Sequence, residues 1–310
     1  MDLDRSQLLL NLESGPVPEA PIDDELSLRS FLRFAVWSRV LAARCILRWT
    51  GMPTCSATAR LAAASAFYQM LGLHFEDVVS TLAAWTCWAE DRSLALATVI
   101  AHVNLRRGGT PPGSMAEFRS QSAHLIGKSK PVSVDPKWFI SQLRACSETE
   151  LLRLFGICPA TFRRYSAPGA AAGLMMILAD HAIGYLTPIH NKLKHGPQVV
   201  IMTVADAASK RGLTPEIEIP GDRVRLLFEG ARTQSIAGEP TDVRIAPFLL
   251  HEPHFLMKMF VAVVVPVATV AYGLGQALYE DVFQREVSRS LDPAVQEVFE
   301  EVDGGGWCRP

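Results

Sequence analysis

Apolar side chains recur at three- and four-residue intervals along most of the chain, the period that buries one stripe of a helix. From Glu25 to Trp49, Phe31, Leu32, Phe34, Val36, Val40, Leu41 and Ile46 cover much of one such helix, which Gly51-Met-Pro-Thr then stops. Ala57 to Leu73 and Glu76 to Arg107 follow, the second carrying Val78, Val79, Leu82, Trp85, Trp88, Val99 and Ile100, and together they predict a helical hairpin. GGTPPGS at 108–114 and GKSKPVSVDP at 127–136 read as loops, and three short helical pieces fill Pro136 to Ala167. Ala170 to Pro197 reads as one core helix, and His254 to Arg285 as the last.

Between those last two helices the period shortens. Val199 to Val204 is rich in β-branched residues, Glu216 to Ile219 alternates, Arg223 to Phe228 answers it across Pro220-Gly221-Asp222, and a third strand falls near Asp242 to Ala246. The expected fold is therefore mainly α: a helical bundle with a small antiparallel β-insert at about 198–250, before the last long helix. Residues 1–25 are expected as a flexible N-terminal arm, 26–300 as a single domain, and 301–310 as a disordered tail.

Composition narrows the function classes. With 49% apolar and 20% charged residues the chain is too apolar for a disordered protein, and a net charge of −2 leaves nucleic-acid binding to a local patch. Six cysteines without a Cys-x-x-Cys pair or zinc-type spacing, and an N-terminus that opens on Asp2 and Asp4, point to reduced thiols and a cytoplasmic protein without a secretory signal. Met259 to Gly275 holds no charged residue, but the run is slightly short for a membrane span and no Lys/Arg cluster flanks it, so a core helix is expected and a membrane role is not. Trp85 and Trp88 are likewise expected in the core.

The stretch richest in chemistry is the end of the 170–197 helix. Lys192, Lys194 and His195 occupy the last turn, where cations meet free carbonyls, and Gly196-Pro197 stops the helix. Pro188 removes a backbone donor and crowds the carbonyl of Gly184, so a bend is expected. At about 100° per residue, Asp180, Thr187, Asn191 and His195 share roughly 60° of arc, an acid, a hydroxyl, an amide and an imidazole on one face. A solvated edge with a capping histidine is the plain alternative. His181 and His190 lie on opposite sides of the helix, so a metal site built from Asp180, His181, His190 and His195 is not expected.

Two further segments invite a nucleic-acid reading. Residues 148–165 resemble a helix-turn-helix unit, with Gly156 at the turn and a second helix offering Thr161, Arg163 and Arg164 to bases or phosphates. Arg29, Arg33, Arg44 and Arg48 lie within about 100° of arc and would make a basic stripe, or else a solvated face whose arginine stems cover apolar surface.

The helical hairpin, the helix ending His190-Asn191-Lys192-Leu193-Lys194-His195-Gly196 and the long final helix together resemble the HEPN superfamily of helical bundles. Many of its members are metal-independent ribonucleases of toxin–antitoxin and antiviral defence systems, and others only bind RNA, nucleotides or partners. The family motif is an arginine followed by a polar residue, variable positions and a histidine, paired across a dimer. The resemblance implies that His195 is the family histidine, Asn191 the polar residue, and His190 stands where the family has arginine. On that reading His195 is the acid/base, Asn191 orients it or the phosphate, His190 is a second proton carrier, and Lys192, Lys194, Arg163 and Arg164 attract the RNA backbone. It implies a homodimer, RNA as partner, a possible regulatory protein, and no metal or other cofactor. The arginine-to-histidine exchange removes a permanently charged fork, so a non-catalytic binding protein and a DNA-binding regulator using 148–165 stay open beside the endoribonuclease.

Overall fold

The computed structural model describes residues 23–31, 37–50, 57–106, 111–180, 199–203, 224–231, 243–250 and 253–285. It is mostly helical. Helix α1 (Asp24–Ser30) begins inside the segment expected as an arm, because the Asp23 carboxylate accepts from the Leu26 N–H and caps it. Helix α2 (Trp37–Thr50) packs along α3 (Ala57–Glu90), the longest element of the described chain.

Helix α3 corrects the expected hairpin: 57–90 is one helix, with no turn between Leu73 and Glu76. Tyr68, Leu71, Phe75, Val78, Leu82 and Trp85 are all buried and follow at alternating steps of three and four residues. That unbroken stripe outweighs the roughly 1 kcal/mol that Gly72 costs inside a helix. The reversal comes at Asp91, whose carboxylate accepts from the Ser93 N–H and hydroxyl, while Trp88 Nε1 donates to Leu94 O at 2.8 Å across the turn.

After the turn, α4 (Leu96–His102) runs directly into strand β1 (Val103–Leu105), which pairs in parallel with β2 (Val132–Val134), Val103 opposite Val132 and Leu105 opposite Val134. A parallel pair needs a long crossover, and α5 (Met115–Gly127) supplies it. The segment expected as a loop at 127–136 therefore holds a strand, and the sheet carried by the helical core is parallel where only an antiparallel insert was expected. Strands β3 (Val199–Thr203), β4 (Val224–Ala231) and β5 (Val243–Leu250) pair antiparallel in that order, Val199 opposite Phe228 and Val224 opposite Leu250. The strand expected at 216–219 lies outside the described residues.

Helices α6 (Pro136–Arg144), α7 (Glu148–Leu154) and α8 (Pro159–Phe162) follow closely, the first capped by Asp135, the second by a reciprocal Ser147–Glu150 capping box. Helix α9 (Ala170–Ile177) packs on α6 and α7. Helix α10 (Pro253–Met259) passes through a π-helical turn, Phe260–Val264, into α11 (Val265–Phe283). The wide turn sits just ahead of Pro266, which cannot donate to the residue 262 carbonyl and crowds it. Leu256–Phe283 is long and apolar enough to cross a membrane by length and composition, and just over half of its most apolar window is buried against the rest of the protein.

Candidate functional site

Helix α9 is the described part of the helix expected over 170–197, and the 190–196 motif lies outside the described residues. Gly169, at φ 82°, turns the chain into α9, and the Gly169 and Ala171 N–H groups donate to the Glu148 carboxylate at 2.9 and 3.1 Å. A carboxylate on otherwise orphaned donors at the positive end of a helix fixes its start. Glu148 belongs to the first turn of α7, so one side chain joins two helix N-termini. Ala171, Leu174, Met175 and Leu178 bury the inner face of α9, and α11 packs against it.

A π-helical turn covers Leu178 to Asp180. Asp180 points to solvent, with Oδ1 3.9 Å from Arg144 Nη1 at the end of α6. Both side chains are about half exposed or more, so this pair steers the helix exit weakly. The other residues expected on the polar face, Thr187, Asn191 and His195, lie outside the described residues, as do His190, Lys192 and Lys194.

Arg163 and Arg164 are described, and both are exposed. Their setting differs from a helix-turn-helix. Helix α8 is a single turn of four residues, and the Thr161 expected to face bases is buried, its hydroxyl donating to Asp281 Oδ1 at 2.6 Å. The Cys158 N–H donates to the other Asp281 oxygen at 2.6 Å. Arg164 pairs with Glu280, and the Tyr165 hydroxyl donates to Glu280 Oε2 at 2.5 Å. Helix α8 is thus fastened to the end of α11, with its polar face turned inward. Gly273 permits the close approach: a Cβ there would collide with Ser166 Oγ and sit 3.4 Å from the Tyr165 carbonyl. N–H groups of Thr161 and Ala160 hold the exposed Cys158 thiol below its ordinary range. Cys45, Cys87, Cys146 and Cys158 are free thiols, and burial pushes Cys87 up to about 12.

The expected arginine stripe is divided in the same way. The Tyr279 hydroxyl donates to Glu25 Oε1 at 2.6 Å and accepts from Arg29 Nη2 at 3.1 Å, and Arg29 also pairs with Glu25 at 2.7 Å. Arg44 is buried, Arg48 is exposed and Arg33 lies outside the described residues. What holds α1 and α8 to α11 is thus a set of carboxylates, Glu25, Glu280 and Asp281. Their partners are 120 residues distant or more in the cases of Thr161, Cys158 and Tyr279, so no local spacing announces them.

Among the described residues no group of three or more His, Cys, Asp or Glu side chains is arranged to hold a metal ion. Comparison of the chain with protein-family models, curated proteins and solved structures returns no match.

Proposed function

We propose that the chain is a HEPN-like RNA-interacting protein of a prokaryotic defence or toxin–antitoxin type, acting as a metal-independent endoribonuclease through the 190–196 motif that follows α9 in the sequence. The observation that carries this reading is the sequence His190-Asn191-Lys192-Leu193-Lys194-His195-Gly196 in a mostly helical protein. His195 moves the proton of the 2′-hydroxyl or of the leaving oxygen, being the side-chain type whose ordinary pKa lies nearest neutrality. Asn191 orients the phosphate or the imidazole. Lys192 and Lys194 draw in the backbone, and His190 serves as a second proton carrier. Arg163, which has no side-chain partner among the described residues, is the better of the two arginines for a phosphate contact, since Arg164 is already paired with Glu280.

The reading includes a two-fold dimer whose motif ends face each other, a cytoplasmic location and a partner that restrains the activity. His190 in place of the family arginine favours a second reading, in which the same motif binds RNA without cutting it. Incubation of the purified protein with a mixed RNA pool in EDTA separates the two. Cleavage that falls about 100-fold or more in folded His195→Ala and Asn191→Ala variants is the expected result. RNA retained without cleavage selects the second reading, and neither binding nor cleavage overturns both.

A further inference from the structure

His74 lies in the middle of α3 and is 1% exposed, and among the described residues neither of its ring nitrogens has a hydrogen-bond partner. A neutral imidazole carries one donor and one acceptor, and burying both without partners forfeits the hydrogen bonds that water would supply. Buried polar groups of this kind are rare and mark stored strain or a working part. Its surroundings favour the second. Across the seam, Arg39 of α2 donates from Nε to Asp77 Oδ2 at 3.1 Å, and Asp77 follows His74 by three residues, on the same side of α3.

Among the described residues, Arg39 of α2 is the charge that acts on the ring, and along α3 the nearest acids in sequence are Glu76 and Asp77. Lys258 of α10 is exposed to solvent, and Arg119 of α5 is tied to Glu90 at the far end of α3. Burial, followed by the Arg39 charge, lowers His74 to about 4, whereas burial raises the Asp77 carboxyl. Asp77 is therefore a desolvated carboxylate that would gain from a second cation.

We propose that His74, Arg39 and Asp77 form an acid-triggered latch on the α2–α3 seam. When His74 takes a proton from solvent, its charge cannot stay in an apolar site beside Arg39, so the imidazolium turns toward Asp77 and draws that carboxylate from Arg39. The seam between α2 and α3 then opens while the rest of the bundle stays closed.

The sign follows from linkage. A histidine held low in the folded state leaves stability intact above its unfolded value of about 6.5 and removes it as the pH falls toward about 4. Each pH unit well inside that window favours the opened form by up to about tenfold, and because half of the opened form is already protonated at pH 6.5, opening should rise about 15-fold between pH 6.5 and pH 5.0. Hydrogen exchange of the full chain at several pH values, corrected for intrinsic rates, reads this segment by segment. The expected result is acceleration confined to α2 and the middle of α3, absent in both His74→Leu and His74→Gln. The glutamine variant keeps a polar side chain but does not titrate, so it separates protonation from packing. Acceleration spread evenly over all helices, or persisting in both variants, would overturn the latch.

Discussion

Trp85→Ala is expected to lower the unfolding free energy by about 3–5 kcal/mol, the range for removing a large aromatic side chain from a core that relaxes only in part. Trp85 is 0% exposed on α3, and its ring meets Phe31 edge-on, centroids 4.9 Å apart. It therefore joins the chain beyond α1 to the middle of the bundle. Among the described residues its indole Nε1 has no hydrogen-bond partner, so the side chain contributes by packing. Trp85→Phe should consequently cost under about 1.5 kcal/mol, since it keeps an aromatic ring and loses no bond. Trp88→Phe should cost more than Trp85→Phe, because the Trp88 Nε1 bond to Leu94 O closes the α3–α4 turn and the Arg92 guanidinium lies 3.8 Å from the ring centroid. Urea unfolding of the three variants checks the order. A loss below about 1 kcal/mol for Trp85→Ala would mean that α3 is not the centre of the core.

Asp281→Ala is the second large loss, expected at about 2–4 kcal/mol. Its two oxygens each accept a 2.6 Å bond, one from the Cys158 N–H that starts α8 and one from the buried Thr161 hydroxyl. Truncation leaves Thr161 buried without a partner, and that penalty exceeds the net value of the bond it made. Asp281→Asn should fall between, since an amide offers one accepting oxygen where two donors converge. Urea unfolding with a tryptophan or circular-dichroism readout gives the magnitudes. An Asp281→Ala protein as stable as the parent would show that α8 is held by buried Phe162 and by the Glu280 contacts of Arg164 and Tyr165 instead.

What the sequence made legible was local. Asp135 before Pro136, and Ser147 with Glu150, write two helix starts into a few residues, and both helices begin where those caps stand. Trp85 and Trp88 were readable as core because three-residue spacing on an apolar helix leaves them one side to face. The break expected between Leu73 and Glu76 is absent, since the buried stripe that runs through it is a tertiary gain that local spacing does not weigh. Strands β1 and β2 were invisible at three residues each, too short for alternation to stand out, and a parallel partner 29 positions away leaves no hairpin turn to find.

The polar side chains divide along the same line. Thr161 and Arg164 looked outward in a helix-turn-helix reading, because their partners Asp281 and Glu280 stand more than 110 residues further on. Arg29 looked like part of a phosphate track for the same reason, being tied to Tyr279 250 residues away. His74 carried no signal at all, since a histidine in a helical run reads equally well as surface or core until its neighbours are known. The 190–196 motif was read from the sequence as a helix end rich in donors, and it lies outside the described residues, which reach Asp180.

The central claim is the proposal that RNA meets this protein at residues 187–197 and not at the α8 turn. Ultraviolet crosslinking of the full chain to a mixed RNA pool in EDTA, followed by mass-spectrometric location of the adducts, tests it directly. The account predicts adducts between residues 187 and 197, lost when Lys192 and Lys194 are changed to alanine together and kept in Arg164→Ala. Adducts confined to 158–166, or none from a pool the protein visibly retains, would contradict it.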